Sequence, residues 1–241
     1  KDKQAHALNN GACNCGYKIE GTEGLIYAPF RTGYAVTGYE GTATKVIVPA
    51  AYEGKPVLAI GTGTGDGFAY SASVTEIVLP NTIQQIQAQA FSYCTKLQKI
   101  EIPSCLNMGD GAFMNCLALT EITLPENCVS YGNSLFYGCA ALAELTVRGG
   151  RITANMLRGC SSLIAAVFGE DVIAIDPLAL TYCTKLETLT VARLDGPAYQ
   201  LFESGTYTIE DTENMLPQSV EGKSRVIGGT TVRWQCPKPD S

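Results

Sequence analysis

The 241-residue sequence has few of the residues on which catalysis and metal binding most often depend. It contains one histidine, His6, and one tryptophan, and only 17% of its residues are charged. His6 lies in a polar segment near the start, so the folded body has no imidazole for a Ser-His or Cys-His arrangement. Gly-x-Ser-x-Gly, Gly-x-x-x-x-Gly-Lys-Ser/Thr and His-Glu-x-x-His motifs are also missing. We therefore expect a protein that is not an enzyme and that uses no cofactor.

Positive charge is scarce as well. The chain has 17 Lys and Arg residues against 23 Asp and Glu residues, a formal net charge of −6. This balance argues against a nucleic-acid partner, whose affinity depends on cations that neutralise phosphates, and against docking on an anionic membrane. No run approaches the ~18 apolar residues of a transmembrane helix. Residues 1–6 lack the apolar core of a signal peptide, so the sequence fits a cytosolic protein or an exported chain whose signal has been removed.

What the sequence does contain is ample apolar material, 46% of its residues, arranged in a repeat. The pattern Leu-x-x-Ile-x-Leu-Pro is followed, after a turn, by Ala-Phe-x-x-Cys-x-x-Leu. Its anchor position recurs every 21 to 23 residues, at Phe68, Phe91, Phe113, Phe136, Leu157 and Leu180. Three residues after each anchor from the second onward comes Cys94, Cys116, Cys139, Cys160 or Cys183, and three further on a leucine. Columns that stay in phase over this length predict a repeat protein.

Each unit predicts a short half-buried strand, such as Leu97-x-x-Ile100-x-Ile102, which ends at a proline because proline has no N–H for the next ladder bond. A second inward pair follows, as at Ile83 and Ile86. One unit has too few inward side chains for a core, so the coils must stack ~4.8 Å apart. We therefore expect a β-rich, right-handed repeat solenoid, with a parallel sheet on its concave face and short helical turns or strands on the other side.

The pattern closely resembles the BspA-like leucine-rich repeat family, found mainly on bacterial and protist cell surfaces. The resemblance is carried by Ile77-Val78-Leu79-Pro80, by Ala90-Phe91-x-x-Cys94-x-x-Leu97 and by a first unit that includes Tyr34-Ala35-Val36-Thr37-Gly38-Tyr39. It spans about residues 34 to 192. It implies the leucine-rich repeat fold, adhesion or protein binding as the role, and an extracellular or cell-surface location with the signal peptide removed.

These observations predict four parts of the chain. Residues 1–16 are a flexible N-terminal segment, 17–60 an N-terminal β cap and first irregular repeat, 61–192 the solenoid of ~22-residue coils, and 193–241 a C-terminal β cap and tail. A linker is the alternative for the last part, where Trp234 could cover the final coil. Arg148, Gly169 and Ala192 replace the strand-ending proline, so the later coils are expected to be less regular.

The repeat cysteines are expected to be small buried apolar residues in a tight corner. Cys105 and Cys128 share a second inward column, where either free thiols or a disulfide is possible. Cys13 and Cys15 lie outside the repeat, and two further ligands for a metal ion are lacking; a bridge from one of them to a partner elsewhere in the N-terminal cap or to Cys236 remains open. The glycine-rich run 61–67 predicts a flexible turn insertion rather than a nucleotide loop, because no helix follows it.

The outward face of the strand ladder is the candidate binding surface, because regularly spaced side chains on a rigid curve suit an extended partner. The candidate residues are Glu76, Val78, Lys99, Glu101, Glu121, Thr123, Glu144 and Thr146. The turns that carry Tyr70, Tyr93, Tyr137 and Tyr182 are a rival surface, since tyrosines favour interfaces and sugar rings also stack on them.

The leading hypothesis is a secreted or surface-attached protein that binds another, unidentified protein through the solenoid. The alternative is a glycan-binding module of a surface system for polysaccharide capture. A clustered row of exposed aromatic side chains would favour the glycan, and a polar concave face of Thr and Glu would favour the protein.

Overall fold

In the computed structural model, residues 21–176 and 178–191 are described, together with five short strands outside these ranges. Every regular element within them is a β-strand. No helix long and apolar enough to cross a membrane occurs in this part of the chain. Short helical turns or strands were expected on the side opposite the concave sheet, and the structure has strands and turns there.

Before the repeat, the chain forms mainly antiparallel pairs. Strands β1 (Leu8–Asn9) and β2 (Ala12–Cys13) pair with each other, as do β3 (Leu25–Phe30) and β4 (Gly33–Tyr39). Strand β5 (Lys45–Ile47) follows, and then β6 (Ala51–Tyr52) and β7 (Lys55–Ile60), which pair antiparallel. Strand β7 runs parallel to β4. The parallel arrangement of the solenoid therefore begins at this pair.

Through the repeat, successive coils add strands to two parallel stacks. The strands are β8 (Glu76–Val78), β9 (Gln85–Ile86), β10 (Lys99–Glu101), β11 (Asn107–Met108) and β12 (Ser130–Tyr131). The first stack has the order β5-β8-β10, and the second continues from β7 through β9 and β11 to β12. Ile100 lies beside Ile77, and Met108 beside Ile86. The coils are therefore in register.

The later coils, which were expected to be less regular, have longer strands but an irregular register. Strands β13 (Glu144–Ile152) and β14 (Ala165–Ile175) are the longest of the described strands, and they pair in parallel through both stacks. Arg148 and Gly169 stand where earlier coils have proline, so the backbone N–H needed to continue the ladder is present. The pairing does contain register shifts, between Val147 and Gly149 and between Gly150 and Arg151.

The remaining strands follow the last coil. Strand β15 (Thr188–Val191) pairs parallel with β14 and antiparallel with β16 (Gly205–Thr208). Strands β17 (Ser224–Ile227) and β18 (Thr230–Arg233) form a separate antiparallel pair. Trp234, predicted to cover the last coil, lies outside the described residues.

One predicted strand is reduced to a single bridge. The sequence 119–124 follows the strand pattern, yet in the structure only Thr123 forms a bridge, with Thr146. Ile122 and Leu124 are nevertheless buried. This segment therefore keeps the alternation of buried and exposed side chains although its backbone does not form a ladder.

The interior is an uninterrupted column of aromatic rings. The centroids of Phe68 and Phe91 are 5.5 Å apart, those of Phe91 and Phe113 5.1 Å, and those of Phe113 and Phe136 5.4 Å, with interplanar angles of 9°, 8° and 15°. All four side chains are buried. Such offset stacking adds about 0.5–1.5 kcal/mol per pair to the burial of apolar surface.

The glycine-rich run before Phe68 is a closed loop. The Asp66 carboxylate accepts hydrogen bonds from the Thr62 backbone N–H at 2.6 Å and the Thr62 hydroxyl at 2.7 Å. Gly61, Gly63, Gly65 and Gly67 have φ between 77° and 99°, a region open mainly to glycine. The alternation of glycine in this run is thus explained by backbone geometry.

We expect Phe113→Ala to lower the free energy of unfolding by about 3–5 kcal/mol, because it removes a ring that stacks on both neighbours and leaves a cavity. Phe113→Leu, which places there the residue found at Leu157 and Leu180, should cost less. Chemical denaturation of both variants measures the difference. A loss below about 1 kcal/mol for Phe113→Ala would contradict the importance of the ring column.

Candidate functional site

Strand pairing places the predicted binding residues in two outward columns of the first stack. Lys99 lies beside Glu76, and Glu101 lies beside Val78. Further along, Thr123 bridges Thr146. Buried residues such as Ile77 alternate with these positions, so the predicted side chains face away from the core.

A groove of about 810 Å³ crosses the coils at the ends of these strands. We call it the strand groove. It is lined by Val48, Pro49, Val78, Pro80, Asn81, Lys99, Glu101, Ile102, Pro103, Ser104, Glu121, Thr123, Leu124, Pro125, Glu126, Asn127 and Arg148, among others. Five of the eight predicted residues belong to it: Val78, Lys99, Glu101, Glu121 and Thr123. Glu76, Glu144 and Thr146 are outside its lining.

The proline column forms an apolar side of the groove. The Leu79 N–H still donates to the Glu101 carbonyl oxygen at 3.0 Å, but the next residue, Pro80, has no N–H to donate. Sequence reasoning treated these prolines only as strand ends. Their recurrence after successive strands was the available signal that they would line up beside the outward columns.

A polar row lies beyond the prolines. The Asn127 side-chain amide donates to the Ser104 hydroxyl at 3.0 Å, and its oxygen accepts from the Cys105 backbone N–H at 3.3 Å. Asn127 and Ser104 do not belong to the repeated apolar columns, and sequence analysis missed them. A ligand in the groove would meet a charged strand edge, an apolar proline column and a polar row.

Most charges on this face are paired. Lys45 contacts Glu76 at 2.8 Å, and Lys99 contacts Glu101 at 2.9 Å. Arg148, also missed in the sequence analysis, contacts Glu126 at 2.7 Å. These pairs are well exposed, and each contributes little to stability. The three cations of these pairs are therefore already engaged by carboxylates.

The hydrogen bond from Lys99 to Glu101, together with the charges of Glu101, Glu76 and Glu121, raises the pKa of Lys99. Within the described residues, Glu121 and Glu144 carry no ion pair. The face is therefore polar and slightly acidic.

The cysteine column has a bonding role that sequence analysis missed. Each thiol donates a hydrogen bond to the carbonyl oxygen of the anchor in the preceding coil: Cys94 to Phe68 at 2.9 Å, Cys116 to Phe91 at 3.1 Å, Cys139 to Phe113 at 3.0 Å, Cys160 to Phe136 at 3.2 Å and Cys183 to Leu157 at 3.2 Å. Each of these carbonyls also accepts a backbone N–H from its own turn at 3.0 to 3.3 Å, so the thiol is a second donor and the bond gives the buried S–H an acceptor. The column links each coil to the one before it.

The other cysteines are not assembled into a metal site in the part of the chain described. Cys105 and Cys128, where a disulfide was one alternative, are buried free thiols. No group of three His, Cys, Asp or Glu side chains among the described residues could hold a metal ion. His6, Cys15 and Cys236 lie outside the described residues, as does the side chain of Cys13.

The rival tyrosine surface is also exposed. Tyr70 and Tyr93 stack with ring centroids 5.0 Å apart, and Tyr137 and Tyr182 are exposed in later coils. Asn115 occupies the corresponding turn between these two groups. The exposed aromatic row is therefore interrupted at Asn115 in the third coil, and again in the fifth coil, whose turn has Arg158 and Gly159.

Comparison with known proteins identifies the repeat. Residues 65–191 match the description "BspA type Leucine rich repeat region" in six copies. A leucine-rich repeat protein of T. pallidum is 24% identical, with a TM-score of 0.66, over 74% of this chain and 84% of that one. A leucine-rich cell surface protein of Faecalibacterium prausnitzii A2-165 is 22% identical, with a TM-score of 0.58, over 80% of this chain and 59% of that one. These two similarities show the fold alone. No curated protein matches the chain.

The thiol column generates a pH prediction. Burial raises the pKa of Cys183 from 9.0 to about 12. Below pH 9.0 the thiol is protonated in both the folded and the unfolded chain, and its contribution to stability is fully present. Above that pH only the unfolded chain loses the proton, so the free energy of unfolding should fall by about 1.4 kcal/mol per pH unit for this thiol until its folded pKa is reached.

Urea denaturation of the wild type and of Cys183→Ala at about pH 8 and about pH 10.5 tests this linkage. The variant should lose less stability over the interval, because one buried thiol no longer titrates. Equal losses in the two proteins would show that Cys183 is ionised as readily in the folded chain as in the unfolded one.

Proposed function

The chain belongs to the BspA-type leucine-rich repeat family, and from this we propose that it is a secreted or cell-surface protein that binds another protein through the strand groove. Repeats of this family generally form non-catalytic interaction scaffolds, and we propose an adhesion-type binding role here rather than catalysis. The similarity to a leucine-rich cell surface protein supports the proposed location.

The observation that carries the proposal is the continuity of the groove over several coils. Outward residues at one strand position, Val78, Glu101 and Thr123, come from three successive coils and line it together. An extended segment of a partner would meet the same kinds of neighbours at each coil. An apolar proline column flanked by polar and charged side chains suits a protein interface, in which an apolar centre is surrounded by a polar rim.

A glycan is the second candidate ligand, and one observation favours it. The ring of Tyr70 is 68% exposed and stacks on Tyr93, which holds it in a fixed orientation. A sugar ring could pack on its outer face. The candidate has less support than the protein because Asn115 interrupts the row and the rings cover one another's faces.

A binding screen of the purified protein against host matrix proteins and a glycan array tests the two candidates. For a protein ligand, Thr123→Arg should weaken binding by about tenfold or more, because it places a long charged side chain in the middle of the groove. Thr42→Arg adds the same side chain at an exposed position outside the groove lining and should leave affinity unchanged.

Equal affinities of the Thr123→Arg and Thr42→Arg proteins would contradict binding through the groove. Binding to arrayed glycans that is lost in Tyr70→Asn and retained in Thr123→Arg would instead support the second candidate.

A further inference from the structure

The turn after each anchor has a backbone conformation that does not require tyrosine. Two residues after the anchor, φ lies between 56° and 77° in all six coils, at Tyr70, Tyr93, Asn115, Gly138, Gly159 and Tyr182. Glycine adopts this left-handed conformation without strain and asparagine tolerates it, whereas other side chains are disfavoured there. Three coils use glycine or asparagine. The other three use tyrosine at a conformational cost.

Burial does not account for these tyrosines. The side chains of Tyr70, Tyr93 and Tyr182 are 68%, 40% and 53% exposed. A strained residue that is not needed by the core is a sign of a functional constraint.

The exposed rings and an arginine form two groups along the turns, one on each side of Asn115. The rings of Tyr70 and Tyr93 are parallel to within 5°. In later coils the Arg158 guanidinium lies 5.9 Å from the Tyr137 ring centroid and 5.1 Å from that of Tyr182. We call Tyr70, Tyr93, Tyr137, Arg158 and Tyr182 the tyrosine ridge. Because neighbours cover many of the ring faces, the ridge presents mainly ring edges and hydroxyl groups.

The ridge is also electrostatically distinct from the rest of this acidic chain. From each anchor to the leucine or valine six residues later, the six turns contain Lys96, Arg158 and Lys185 and no Asp or Glu. The nearest preceding carboxylates are engaged locally: Asp66 by Thr62, Asp110 by the Asn133 N–H at 2.7 Å, and Asp176 by the Leu178 N–H at 2.9 Å. The turns that carry the ridge therefore have a net positive charge, from Arg158 of the ridge and from the neighbouring Lys96 and Lys185.

We propose that the tyrosine ridge is a second interaction surface, which binds an extended acidic segment of a protein partner. Tyrosine hydroxyls, lysines and an arginine are donors suited to carboxylates, and Tyr and Arg often dominate binding energy at interfaces. Six coils ~4.8 Å apart span about 24 Å, which an extended segment of about seven residues covers. None of the ridge residues lines the strand groove, so the two surfaces are separate.

Fluorescence anisotropy with labelled peptides of about ten residues tests the partner chemistry. The probes are an alternating Glu–Ser peptide and the matched Gln–Ser and Lys–Ser peptides. We expect the acidic peptide to bind at least about tenfold more tightly than the Gln–Ser peptide and to weaken as salt rises. Thr123→Arg, which alters the strand groove, should not change this binding. The proposal for the ridge can therefore fail or succeed independently of the proposal for the groove.

Replacing ridge tyrosines with asparagine, the residue that the third coil has at this turn position, separates an effect on binding from an effect on stability. Tyr93→Asn and Tyr182→Asn should leave the thermal midpoint unchanged or higher, because the strain is relieved, while the acidic peptide binds about tenfold more weakly. Tyr52→Asn is the matched control: it removes an exposed tyrosine that stacks on Tyr27 outside the ridge, and peptide binding should be retained.

Three results would overturn the proposal. The first is equal affinity for the Glu–Ser and Gln–Ser peptides. The second is a lower thermal midpoint with unchanged peptide binding in the ridge variants, which would make the tyrosines structural. The third is binding of a sulfated polysaccharide such as heparin without binding of the acidic peptide, which would assign the ridge to an anionic glycan.

Discussion

Contact between successive coils is the constraint on which this structure depends. No coil has enough inward side chains to form a core alone, so each must bury its anchor against its neighbours. The aromatic rings do so at centroid distances of 5.1 to 5.5 Å. The thiol column adds a directional bond at the same junction, since each cysteine donates to a carbonyl of the preceding coil. Ring stacking fixes the spacing of the coils, and the thiol adds a second, inter-coil hydrogen bond to an anchor carbonyl that already accepts a backbone N–H from its own turn.

The register of the buried columns also determines how the outward side chains are aligned. Because the coils do not shift between β8 and β10, side chains that point outward also line up from coil to coil. The strand side carries Glu101, Glu121 and their neighbours beside the groove, whereas the turn side carries tyrosines and cations. One repeat thus supports two exposed columns whose residues are free to differ from those of the core. Charge of opposite sign on the two sides distinguishes the two proposed surfaces electrostatically.

Periodicity made the interior predictable. The anchors, the cysteine column and the inward pairs could be identified because burial forces the same residue types to recur, and the repeat solenoid is confirmed. The pairing of individual outward side chains could not be predicted. Whether Lys99 contacts Glu101 in its own coil or Glu76 in the preceding coil depends on side-chain rotamers, to which a repeating pattern is insensitive. The thiol hydrogen bonds were missed for a related reason. A cysteine that only fills space and a cysteine that also donates a hydrogen bond produce the same repeating pattern in the sequence.

Proline links the one structural surprise to the candidate site. In the earlier coils Pro49, Pro80, Pro103 and Pro125 end the ladder, and all four line the strand groove. At the next two coils Arg148 and Gly169 replace proline, and the parallel pairing of β13 and β14 continues past them after a register shift. The groove lining reaches Arg148 and goes no further along the coils. The absence of proline that lengthens the later strands therefore also sets one end of the groove, because a ladder that continues leaves no apolar proline column beside the outward residues.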